Sequence, residues 1–258
     1  MARVAIGIEY DGSAYSGWQL QQHAPSIQAE LERALAKVAD HELRLTAAGR
    51  TDAGVHALMQ VAHFDTTASR PAPAWVLGGS AECAPDVSVL WARQVPDDFH
   101  ARFSALSRSY IYRIVNRGVR PAIDRGHACW LRRPLDAEAM HAAAQSLVGE
   151  HDFSALRAAG CQSPTPVRRV LGVAVRRDSG RVEIRITANA FLHHMVRNVA
   201  GALIAVGVGD RPVRWVAELL ASRDRTQGGV TAPPQGLYFA GVAYDPRWGL
   251  PTEAAGLR

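Results

Sequence analysis

Gly49-Arg50-Thr51-Asp52-Ala53-Gly54-Val55-His56-Ala57 sets a carboxylate, a guanidinium and a hydroxyl between two glycines. Glycine at both ends gives the backbone the freedom of φ that a tight loop needs. At the ends of strands, such a loop can present Asp52 to a cleft. Arg50 stands two residues away, and a nearby cation favours the ionised carboxylate. An ionised aspartate can attack an electron-poor sugar carbon or act as a base. The same spacing also suits a plain Asx turn closed by an arginine salt bridge, and local chemistry leaves both open. A carboxylate-dependent hydrolase would need a second acid close by. Asp65 is the only nearby candidate in the sequence, and no motif surrounds it.

Other residue types capable of chemistry are more scattered. Tyr110 and Tyr112, in Arg108-Ser109-Tyr110-Ile111-Tyr112, share one face of a strand. On a helix, Arg197 shares a face with His193 at i−4 and Gly201 at i+4, opposite a Phe191/Met195/Val199 stripe. Gly201 would leave room there for a neighbouring backbone or side chain. His193 and His194 lack a third ligand at metal-site spacing, so no metal is expected. Cys83, Cys129 and Cys161 are too dispersed for a disulfide framework or a CxxC site. With no P-loop, dinucleotide fingerprint or HExxH, no cofactor is expected either.

The elements that must position these residues follow from periodicity. Val4, Ile6 and Ile8 alternate as a strand. Ser26 offers an N-cap to a helix carrying Ile27, Leu31, Leu35 and Val38. Leu43 and Leu45 predict a short strand running into the glycine-bracketed loop. Residues 55–64 and 87–95 read as strands, with a helix over 74–81 between them. Residues 110–115, 170–175, 182–186 and 237–244 are further strands, and Asp178-Ser179-Gly180 marks a hairpin. Asp136 caps a helix with Met140, Ala144 and Leu147. Helical stripes follow at Phe191, Met195, Val199, Leu203 and Val206, then at Trp215, Leu219 and Leu220 after Pro212.

This pattern predicts an α+β fold of two ferredoxin-like/RRM-like halves, each β-α-β-β-α-β. The halves would form an antiparallel or mixed central sheet with helices packed on it and a cleft between them. The expected division is an N-terminal domain over 1–105 with the Asp52 loop, a basic C-terminal domain over 106–245, and a tail over 246–258.

Charge is unevenly spread. Of 29 basic residues only Lys37 is lysine. Residues 1–105 hold 8 basic and 12 acidic residues, and 106–258 hold 21 and 12. Biased codon usage explains arginine over lysine but not this asymmetry, which points to a polyanionic partner on the second half. Arg132-Arg133, Arg168-Arg169, Arg176-Arg177 and the Arg223/Arg225 pair are candidate phosphate contacts. No apolar run approaches the roughly 20 residues that span a bilayer. The N-terminus shows no signal-peptide cleavage site, so a cytoplasmic protein without a membrane segment is expected.

The Gly49–Ala57 segment resembles the catalytic motif of the TruA family of tRNA pseudouridine synthases. Ile8-Glu9-Tyr10-Asp11-Gly12 with Gly17-Trp18-Gln19 resembles the family's opening strand and loop. Residues 98–104 resemble its interdomain segment, 190–198 its C-domain helix, and Gly236-Leu237-Tyr238 its closing strand. These blocks occur in family order along nearly the whole chain. The resemblance implies a cofactor-independent isomerisation of uridine in the tRNA anticodon stem-loop, at positions 38–40, by a homodimer. Asp52 would be the essential residue, attacking C1′ or abstracting a sugar proton. Tyr110 would contact the target base, Arg197 would pair with Asp52, and Arg50 would support the cleft or touch the RNA backbone.

Two departures stand out. Gly78-Gly79-Ser80-Ala81-Glu82-Cys83-Ala84-Pro85 replaces the family's usual Asn-rich turn, and Leu20 replaces a basic residue. The altered loop keeps a second reading open: a catalytically altered tRNA-binding protein of the same fold. Asp52, Tyr110 and Arg197 together argue against it.

Overall fold

The structure, a computed structural model, describes residues 1–251. It has a mixed α+β fold that divides into two units, one of Met1–Ser107 with the chain from Tyr238 onward, the other of Arg108–Leu237.

In the first unit, β1 (Ala2–Tyr10) buries Val4, Ile6 and Ile8, as its alternation requires. The helix α1 (Ile27–Ala39) starts where Ser26 Oγ accepts the Ala29 N–H, and it buries Ile27, Leu31 and Leu35. The strand expected at Leu43–Leu45 begins later, as β2 (Thr46–Ala47). The Leu45 N–H is taken by the Glu32 carboxylate of α1 at 2.9 Å, so it is not offered to a neighbouring strand. Two long strands, β3 (His56–Thr66) and β4 (Val87–Val95), flank β1, both antiparallel to it.

Between β3 and β4 the expected helix forms in two pieces, a π-turn over Ala74–Gly78 and the short α2 (Gly79–Glu82). The unusual glycines there serve packing. A Cβ on Gly79 would sit 3.1 Å from Leu35 Cδ2 and 3.2 Å from Val89 Cγ2. Ser80 Oγ accepts the Val89 N–H, and Glu82 pairs with Lys37. This segment packs against α1 and β4.

In the second unit, β5 (Ala105–Asn116) pairs in parallel with β6 (Cys129–Leu131). Asp136 caps α3 (Ala137–Ala144) by accepting the Ala139 N–H. The strands β7 (Gly149–Asp152), β8 (Val167–Asp178) and β9 (Arg181–Ala188) complete an antiparallel order β5-β9-β8-β7. The β8–β9 hairpin turns at Ser179-Gly180, with Ser179 left-handed at φ 52°.

The stripe read from Phe191 becomes helical only at α4 (Met195–Gly207), followed by α5 (Trp215–Ser222). Outside contacts hold the preceding residues out of the helix. The His193 carbonyl accepts the Ala158 N–H, Asn189 bonds the Arg169 and Ala190 amides, and His194 is left-handed at φ 60°. Phe191 and His193 therefore do not lie on the Arg197 helix.

The last strand, β10 (Leu237–Tyr244), runs parallel to β3 with Tyr238 opposite His56, giving the first unit the order β4-β1-β3-β10. A turn at Pro246–Trp248 then sets the Trp248 ring 5.3 Å from that of Phe99. Of the tail read over 246–258, residues 252–258 lie outside the described residues. No helix among the described residues is long and apolar enough to cross a membrane.

His63 on β3 gives the first unit a pH-sensitive core. It is 5% exposed, and its Nδ1 accepts the Ala101 N–H at 3.1 Å. Burial, then the charges of Arg3 and His100, lower its pKa from 6.5 to about 4. A folded value below the unfolded one means that this stability is complete above pH 6.5 and lost as pH falls towards about 4. Urea denaturation is expected to show wild type losing more stability than His63→Asn across that interval. Parallel pH profiles would refute the assignment.

Candidate active site

Asp52 is half-buried on the loop between β2 and β3, next to a residue held from several sides. The Thr51 carbonyl accepts the Trp18 N–H at 3.0 Å, and Thr51 Oγ1 lies 2.8 Å from the Tyr10 hydroxyl in a buried contact. The Gly54 N–H donates to the Tyr15 carbonyl, and Gln60 Nε2 donates to the Gly49 carbonyl at 2.7 Å. Asp52 closes its own turn by accepting the Val55 N–H on its carbonyl.

This grip needs glycine outside the motif. A Cβ on Gly12 would lie 2.0 Å from the Val55 carbonyl oxygen. One on Gly17, which is at φ +95°, would lie 2.6 Å from that of Thr51. The opening loop therefore lies backbone-to-backbone against the motif. Within the motif, Gly54 is at φ 74°. Burial pushes the Tyr10 hydroxyl up to about 12 against the lowering effect of its bonds to Thr51 and Gln60, so it stays a neutral phenol.

His56 is buried with Nδ1 3.0 Å from an Asp11 carboxylate oxygen and 3.2 Å from the Gly12 nitrogen, and its ring stacks 4.7 Å from Tyr238. Arg50 is exposed. Sequence reasoning assigned no role to Tyr10, Gly12, Gly17 or Gln60. The available signal for the first three was their place in the block resembling the family's opening strand and loop.

In the second unit, Tyr110 lies on β5 with its ring edge-on to Phe191, centroids 4.9 Å apart at 82°. Tyr112, two residues on, is fully buried and donates its hydroxyl to the Pro233 carbonyl. Burial, then Cys129, raises its pKa well above the usual phenol value, which suits a core tyrosine.

Arg197 on α4 is held twice by one residue. Its Nε donates to the Ala232 carbonyl at 2.8 Å, and its own carbonyl accepts the Ala232 N–H. The room expected at Gly201 is filled by this same segment, since a Cβ there would lie 1.9 Å from the Val230 carbonyl oxygen. His193, expected on the same helical face, precedes the helix.

Several arginines read as phosphate contacts are committed to the fold. Arg225 donates to Asn198 Oδ1, Thr231 Oγ1 and the Gly229 carbonyl. Arg168 serves Ser163 and the Thr165 carbonyl, Arg177 serves Asn116 and the Leu135 carbonyl, and Arg133 pairs with Asp210. Arg132, Arg169 and Arg176 are exposed, as are Arg133 and Arg177, and the exposed Arg223 lies 3.6 Å from Asp152.

Over residues 6–104 and 143–245 the chain matches the family model of tRNA pseudouridine synthase. The chain belongs to the tRNA pseudouridine synthase family. It is 53% identical over 256 residues to tRNA pseudouridine synthase A of Xylella fastidiosa (strain M23), covering 99% of this chain and 100% of that protein. The protein of the same description from Coxiella burnetii (strain Dugway 5J108-111) is 53% identical, with 99% and 98% covered. That from Methylococcus capsulatus is 55% identical over 252 residues, with 98% and 93% covered. Arg50, Asp52 and Arg197 fall within the two blocks matched to the pseudouridine synthase model, and Tyr110 falls between them. In this member of the family the basic residues concentrate in Arg108–Leu237, which holds 19 against 10 acidic ones.

Tyr10→Phe removes the hydroxyl that meets Thr51 inside the fold. The expected loss is roughly 1–3 kcal/mol of unfolding free energy, read by urea denaturation. An unchanged midpoint would mean that this contact does not hold the loop.

Proposed function

We propose that this chain converts uridines of the tRNA anticodon stem-loop, at positions 38–40, into pseudouridine, with Asp52 starting the reaction. Family membership makes the chain an isomerase of uridine in tRNA. In that reaction the C1′–N1 bond breaks, the uracil turns, C1′ bonds to C5, the C5 proton leaves to solvent, and N1 takes up a proton. Asp52 either attacks C1′, forming a glycosyl ester that the turned base displaces, or removes a sugar proton. The observation that carries the assignment is the grip on Thr51, which holds the neighbouring carboxylate on a preorganised loop.

The other roles follow from the same chemistry. A uracil drawn out of its stack needs an aromatic platform, and Tyr110 with its ring fixed by Phe191 suits that need. Its phenol can also relay a proton. Arg197 pairs with the Asp52 carboxylate and orients it. A guanidinium whose Nε is already committed to Ala232 loses little freedom in doing so. Arg50 supports the cleft or meets the RNA backbone. The first unit, with the Asp52 loop, acts as the catalytic domain and the second, Arg108–Leu237, as the basic RNA-holding domain, in a cytoplasmic homodimer whose two basic surfaces grip one tRNA.

Unmodified tRNA carrying tritium at C5 of uridine tests this without added cofactor. Wild type should release tritium to water, and Asp52→Asn should fall to background. Absence of release by wild type would refute the reading, and full release by Asp52→Asn would refute the catalyst. Arg197→Ala should lower turnover about a hundredfold, with tRNA binding changed far less. A defect confined to binding would make Arg197 a phosphate contact instead.

A further inference from the structure

The turn between β4 and β5 builds a column of rings that runs from the core of the first unit to its surface. Phe99 is fully buried, tilted against Tyr244 at 5.3 Å and edge-on to His63 at 6.0 Å. His63 meets His100 at 4.9 Å, and His100 stacks on Phe103 at 4.3 Å and 30°. Phe103, the outermost ring, is 76% exposed, and the Arg102 guanidinium lies 5.5 Å from its centroid.

The turn is fixed at both ends and in the middle. Arg3 Nη1 donates to the carbonyls of Asp97 and Phe99, and the Tyr244 hydroxyl donates to that of Ala101. His100 Nδ1 receives the N–H groups of both Arg102 and Phe103, and the His100 N–H donates to Ser104 Oγ. Nδ1 must therefore be unprotonated, with the imidazole held flat beneath the outer ring.

A phenyl ring left in water forgoes the stabilisation its burial would supply. Here the backbone holds it out, stacks a second ring behind it and sets a cation beside it. Single-stranded nucleic acid is recognised by this combination, because every base has a π-face and every nucleotide a phosphate. An interface with a second copy would need a contiguous apolar core, whereas Arg102, Asp97 and Asp98 on the same turn are exposed.

We propose that Phe103, backed by His100 and flanked by Arg102, is a platform on which an unpaired base of the bound tRNA stacks. The platform is additional to the Asp52 loop and rests on the reading of tRNA as substrate.

Filter binding of unmodified tRNA to the full chain, with tritium release by wild type measured alongside, tests this. Phe103→Ala and Phe103→Leu should each weaken binding about tenfold, and Phe103→Trp should restore it, with thermal unfolding unchanged in all three. Equal binding by all variants would overturn the platform while wild-type release left the catalytic reading intact. Binding kept by Phe103→Leu would also overturn it, since leucine retains apolar bulk but has no π-face. Conversion of a dimer into a monomer by Phe103→Ala, with tRNA binding intact, would reassign the ring to contact between copies. Absent release by wild type with Phe103-dependent binding would sink the catalytic reading and leave the stacking surface standing.

Discussion

The close approach of the Asp11–Trp18 segment to the backbone of the Asp52 loop is the constraint on which the first unit depends. Two backbones can lie this near only where side chains are missing, at Gly12 and Gly17. The approach satisfies the Thr51 carbonyl and the Gly54 amide and brings Tyr10 to the Thr51 hydroxyl. A loop whose polar groups are taken up from within has few alternative conformations. The backbone that carries Asp52 is thus fixed by the fold itself.

The second unit shows the same economy with different parts. Ala232 engages both the side chain and the carbonyl of Arg197, and Gly201 admits the Val230 backbone against the helix. One turn from that contact, Asn198 accepts from Thr231 and Arg225 while donating to the Leu156 carbonyl. A buried amide with its bonds satisfied fixes the strap that in turn fixes Arg197. Arginine here does two unlike jobs. Some guanidiniums brace carbonyls inside the fold, and others add to the field of a unit with 19 basic and 10 acidic residues.

Much of this was legible without coordinates. Alternation at Val4, Ile6 and Ile8 and caps at Ser26 and Asp136 report short-range preferences, which survive folding because nothing distant competes with them. Where a distant group does compete, local reading failed. Glu32 draws the Leu45 amide away from strand pairing, and Ala158 takes the His193 carbonyl and delays the helix to Met195. The parallel pairing of β10 with β3 carries no turn signal, since a parallel partner needs no hairpin.

By itself, the sequence determined the longer strands and helices and their order, but not the short strands β6 and β7, and it determined the concentration of basic charge after residue 105 and the glycine-bracketed loop with Asp52 at its centre. Its motif blocks also determined the family. Only the tertiary structure decided which arginines brace the fold and that Tyr10, Gly12 and Gly17 hold the Asp52 loop. The reason is physical. Periodicity and capping are set by neighbours within a few residues, whereas the role of a guanidinium, a phenol or an absent Cβ is set by whatever the fold brings within about 3 Å of it.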